Sequence, residues 1–95
     1  MEVLVSDHAI ERYRKRTFKW HLSDKQIKMI LTDVARQGTI QRRRPGNAWE
    51  IVHNGISIVA EVNSNSIAVI TCLGDTEYRK WAKKQEVAPK YRAIS

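Results

Sequence analysis

At Gly38 the hydrophobic rhythm of the chain changes period, and that change decides the fold class. Before it, Ile27, Ile30, Leu31, Val34 and Ala35 recur at i, i+3, i+4, i+7 and i+8, the stripe of a helix with one buried face. Ser23 and Gln26 fit a capping box, and Leu22 with Ile27 fit a hydrophobic staple. The helix is expected to end after Gln37, with Gly38 as a left-handed cap residue. Beyond Gly38 the period is two. Thr39 to Arg44 reads as a strand closed by Pro45-Gly46-Asn47, and Ala48 to Val52 as another, closed by His53-Asn54-Gly55. Asn-Gly is the strongest short hairpin signal. Ile56 to Val62 and Ser66 to Leu73 follow, joined through Asn63-Ser64-Asn65. Short polar turns between successive strands predict an antiparallel meander of four. The last of these strands is apolar on both faces, as a central strand is.

The N-terminal part reads as helix. Met1 to Val5 is an extended lead-in, and Ser6 or Asp7 can cap a helix over Ser6 to Arg16. At about 100° per residue, Ala9, Ile10, Tyr13 and Thr17 share one side, while His8, Glu11, Arg12 and Lys15 share the other. Thr17 to His21 forms the connection, with Phe18 and Trp20 expected to fold back on the core. At the far end Gly74-Asp75 breaks the last strand, Thr76 to Gln85 has helical composition, and Val87 to Ser95 carries Pro89 and little pattern. The expected architecture is one α+β domain over residues 1–86. Two N-terminal helices pack on one face of a four-stranded antiparallel sheet, with a short C-terminal helix and a loosely held basic tail over 87–95.

Charge narrows the partners. Seventeen Lys and Arg against ten Asp and Glu leave a net charge of +7 on 95 residues. Such a balance favours an anionic partner: nucleic acid, an acidic protein, or less readily a membrane surface. The aliphatic start MEVLVSDH is too short for a signal segment, and no run approaches membrane-spanning length. Cys72 is the single cysteine, so an internal disulfide is excluded and a cytoplasmic location is expected.

The run His8-Ala9-Ile10-Glu11-Arg12 with Arg16 beyond it, the capped second helix ending at Gly38, and the closing Val69-Ile70-Thr71-Cys72-Leu73 together resemble a known group. These are small prokaryotic and prophage domains of the ribonuclease-toxin superfamily that includes barnase, EndoU, the tRNA-cutting colicins and RelE. The resemblance covers roughly Val5 to Gly74. It implies a ribonuclease-like fold and an RNA-directed, metal-independent endoribonuclease or toxin-like activity, with a cognate protein inhibitor as a further partner. By position it carries catalytic roles over to His8, Arg12 and Thr71.

The residues themselves can be set against that chemistry. A metal-independent ribonuclease needs a base for the ribose 2′-hydroxyl, cations for the phosphorane charge and an acid for the leaving oxygen. His8 can shuttle protons near neutral pH. Arg12 and Arg16 can bind a phosphate bidentately, and Thr71 can supply a hydroxyl; Arg16 joins this set on chemical grounds. Lys15, Arg42, Arg43, Arg44 and Arg79 are candidate nucleic-acid contacts. A second acid–base group would have to be Glu11, Glu50 or Tyr78. Neither cofactor nor metal is expected, since no histidine or second cysteine is spaced to join Cys72. Each residue also has a plainer role. His8 reads equally as a surface histidine beside a cap, Arg12 and Lys15 as a solvated face paired with Glu11, and Thr71 as a strand former. Trp49 and Trp81 read as packing residues. The alternative function is a non-catalytic phage or prophage module that binds nucleic acid or an acidic host protein.

Overall fold

The computed structural model describes residues 2–94, with side chains described for 2–85. Its elements run β1(Glu2–Val5), α1(Asp7–Thr17), α2(Asp24–Gln37), β2(Thr39–Arg43), β3(Ala48–His53), β4(Ile56–Val62), β5(Ser66–Asp75) and α3(Thr76–Ile94). The α+β class holds, but the expected four-stranded antiparallel sheet does not. The sheet has five strands in the order β1-β5-β4-β3-β2, and β1 pairs with β5 in parallel, Glu2 opposite Ser66 and Val5 opposite Val69. The supposed lead-in is therefore a strand. It alternates as a half-covered edge strand should, with Val3 and Val5 packed on the core and Leu4 half exposed. The expected short C-terminal helix is corrected too. α3 begins directly after Asp75, with no break between it and β5, and spans nineteen residues. The expectation of a loosely held tail over 87–95 lies outside the residues whose side chains are described.

Local chemistry explains most boundaries. Ser6 caps α1, its Oγ accepting from the Ala9 amide at 3.0 Å and donating to the Ile70 carbonyl at 2.9 Å. One side chain thus starts the helix and fixes its origin on β5. Ser23 and Gln26 form the full capping box of α2. Asn54 and Gly55, at φ 50° and 78°, turn β3 into β4, the two positive φ values that a two-residue hairpin turn of this kind requires.

Gly38 does end α2, but not as a left-handed residue: its φ is −73° and ψ 163°. Space, rather than φ, demands glycine there. A Cβ would collide with Ile51 Cγ2 and the Val34 carbonyl oxygen and lie 2.9 Å from the Val52 oxygen.

The core fills the space between the sheet and α1 with α2. Ala9, Ile10 and Tyr13 from α1 and Ile27, Leu31, Val34 and Ala35 from α2 meet Ile51, Ile58, Ala60, Val69 and Cys72 of the sheet. Phe18 and Trp20 do not fold back on it; they are 67% and 61% exposed. Phe18 is the left-handed C-cap of α1 at φ 58°, where the chain leaves the helix, and Tyr13 and Thr17 already occupy the buried face. Since Ile58 and Ala60 face the helices, Ser57, Val59 and Glu61 of β4 face the opposite side, and so do their register partners Glu50 and Thr71.

Candidate phosphate-binding groove

The side of the sheet away from α1 and α2 carries a charged concavity. β2, β3 and β4 supply Arg42, Glu50, Val52 and Ser57, and the first turns of α3 supply Arg79, Lys80 and Lys83, around a cavity of about 500 Å³. Its floor is Glu50, which is 6% exposed although it is charged. A buried carboxylate demands partners, and the topology brings three. Arg44 donates from Nε at 3.1 Å, while Arg42 and Arg79 approach at 3.8 and 3.9 Å. Arg79 also donates to Ser57 Oγ at 3.1 Å.

The first turn of α3 is fixed by one near contact and one distant one. The Asp75 carboxylate accepts from the Tyr78 amide at 2.8 Å, capping the helix, and Thr76 Oγ1 donates to the Gly55 carbonyl of the β3–β4 turn at 3.4 Å. The helix therefore starts at the end of β5, and residues 76, 79, 80 and 83 form the one face that overlooks Glu50.

The run Arg42-Arg43-Arg44 divides between the two sides. Arg42 and Arg44 turn to Glu50, whereas Arg43 lies over the Trp49 ring at 5.2 Å, on the side where Trp49 packs against the core. Arg16, at the C-terminal end of α1, donates to the Cys72 carbonyl at 2.9 Å and sits over the Tyr78 ring at 5.7 Å. That places it beside α3 and near Arg79. Arg12 is half-buried one turn earlier on α1, and His8 is exposed near the start of that helix, about 12 Å of helical rise before Arg16. Lys15 pairs with Glu11 at 2.9 Å across one helical turn, which holds the Glu11 carboxyl below its usual range. Thr71 sits opposite Val59 on the groove side of the sheet. His8 and Arg12 on α1 and Thr71 on the far face of β5 are thus not gathered in one cleft. Arg42, Arg44 and Arg79 are.

Glu50 stood in the sequence as one of three second acid–base candidates, and its place in a strand of otherwise apolar alternation was the available signal. Lys80 and Lys83 had no signal beyond charge. Cys72 is fully buried, and burial pushes its thiol up to about 11, as expected of a packing cysteine. Among the described residues no group of three His, Cys, Asp or Glu is placed to hold a metal, and no helix is long and apolar enough to cross a membrane. No protein-family model and no curated protein sequence matches this chain.

Proposed function

We propose that this chain acts on RNA, gripping the phosphate backbone in the groove between β2–β4 and the first turns of α3. The observation that supports the reading is how the arginines around Glu50 are used. Only Arg44 hydrogen-bonds the carboxylate; Arg42 and Arg79, at 3.8 and 3.9 Å, act on it as charges and keep guanidinium donors for a phosphate. Three arginines stand around one carboxylate, Lys80 and Lys83 line the same cavity, and the surplus of cations favours an anion. Affinity for a short RNA should then fall steeply with salt as counterions are released. Arg42→Gln and Arg79→Gln should each reduce the slope of log K against log salt by about 0.7. Arg43→Gln, on the Trp49 side, should leave it unchanged. Equal effects from Arg42 and Arg43 would locate binding elsewhere.

Metal-independent, toxin-like cleavage is the second reading, and the position of Glu50 favours it. A carboxylate set among arginines can accept the 2′-hydroxyl proton as the 2′-oxygen bonds to phosphorus and the 5′-oxygen departs, taking its proton from water, beside cations that can meet the phosphorane charge. Cleavage without added metal, leaving cyclic phosphate ends, should disappear in Glu50→Gln while binding survives, and persist in His8→Gln. Loss in His8→Gln alone would put the chemistry on the α1 face. Intact RNA across pH 5 to 9 leaves the protein as a binding module.

A further inference from the structure

The groove does not end at Arg79. On the other side of that residue lies a second cavity, of about 380 Å³, lined by Arg16, Leu73, Tyr78, Arg79, Ala82 and Lys83. Arg79 and Lys83 line both cavities. The linings differ in kind. Around Glu50 the cations stand with a carboxylate, a hydroxyl and strand residues, while in the second cavity Leu73, Tyr78 and Ala82 stand beside Arg16, Arg79 and Lys83, with no carboxylate in the lining. The volume lies within the range of about 300–1,000 Å³ common for small-ligand sites.

This second cavity is held in shape by groups that the phosphate groove does not require. Gly74 has φ +109°, and a Cβ there would lie 2.6 Å from Tyr78 Cδ1 and 3.2 Å from Arg16 Cβ. Glycine thus lets the tyrosine ring close against the strand. Arg16 is tied to the Cys72 carbonyl and lies over the ring, and Trp81 stands beside the tyrosine at 5.7 Å. An aromatic ring, a guanidinium and short aliphatic side chains around one concavity are the materials that bind a nucleobase.

Resting on the RNA reading above, we propose that this cavity is a nucleobase subsite contiguous with the phosphate groove. A base would lie against Leu73, Tyr78 and Ala82 while Arg79 and Lys83 hold its phosphate, so that the two cavities read consecutive parts of one nucleotide chain.

The test compares an RNA oligomer with an abasic ribose-phosphate oligomer of equal length and charge, by competition anisotropy on the full chain. Wild type should bind the RNA at least about five-fold more tightly, the lower end of base-stacking contributions. Tyr78→Leu should erase that gap with little change in abasic affinity. Ala82→Leu fills the cavity from a half-exposed helix position without altering charge, so it should do the same even if Tyr78→Leu fails to fold. Arg42→Gln should weaken both oligomers alike and keep the gap. Equal binding of the two oligomers by wild type, or a gap that survives Ala82→Leu, overturns the subsite and leaves the phosphate groove standing. Binding of neither oligomer overturns both.

Discussion

Glu50 and Cys72 show how differently two buried titratable side chains can matter. The partners of Glu50 are themselves exposed, with side chains 75% exposed for Arg42 and 43% for Arg44 and Arg79, so solvent screens much of their attraction. Replacing the carboxylate strands no buried cation, and Glu50→Gln should change stability by no more than about 1 kcal/mol. Its effect should appear in binding instead. Removing the negative charge from among the cations should tighten RNA binding by roughly five-fold at low salt, since about 1 kcal/mol is the size of such an interaction at contact in water. Weaker binding would mean that Glu50 orients the arginines and does not compete for them. Cys72 acts through stability. Its folded thiol ionises near 11 against an ordinary 9.0, so the unfolded chain loses this proton first. The contribution is fully present below about pH 9 and is lost as pH rises toward 11. Tyr13, also raised by burial, adds to the fall above its ordinary 10.0. The midpoint of thermal unfolding should therefore drop above pH 9, less steeply in Cys72→Ala. Thiol alkylation at neutral pH should wait on opening of the core.

At the scale of elements, the strongest sequence signals marked boundaries made by neighbouring residues. The capping box of α2, its stripe and the Asn54-Gly55 hairpin depend on contacts a few positions apart, and each stands where the periodicity put it. Missing were the relations made by distant parts. Val3 and Val5 alternate as a strand does, but four residues become β1 only because β5 offers a free edge 64 positions later. A hint of this lay in β5 itself. A four-strand meander would leave it at the edge, whereas its two apolar faces read as central, and the parallel β1 settles the conflict. Gly38 is a similar case, a glycine legible as a stop whose reason, the approach of Ile51, belongs to another element. Leu31 is fully buried, so Leu31→Ala should cost about 2–5 kcal/mol in chemical denaturation, and Lys28→Ala on the exposed face almost nothing. Gly38→Ala should cost about 1–3 kcal/mol by overpacking, although alanine is the better helix former. A neutral Gly38→Ala would show that β3 can yield.

Over the whole molecule, charge is what the sequence displayed most plainly and located least well. The net +7 could be counted, and Arg42, Arg44 and Arg79 could be named. Their convergence depends on a strand pairing and on the direction in which α3 leaves β5, neither of which is local. On the opposite side of the sheet α1 and α2 carry cations too, but several are paired along the helices, Arg14 with Asp24 and Lys15 with Glu11. α2 packs on one face of the sheet and the groove opens on the other, so the sheet and side chains of both faces separate them. Packed layers stand about 10 Å apart, already beyond the screening length of about 8 Å at physiological salt, so charges on the outer surface of α2 act weakly on a phosphate in the groove. Two variants with the same net charge can separate local field from total charge. Lys80→Gln removes a cation lining the groove, and Lys28→Gln removes one on α2. If binding followed the sum, both would weaken RNA equally. With the groove as the site, Lys80→Gln should lower affinity by about two- to five-fold at 0.15 M salt, mainly through a slower association rate. Lys28→Gln should be almost silent, and below 0.02 M salt, where screening reaches roughly 20 Å or more, the two variants should draw together.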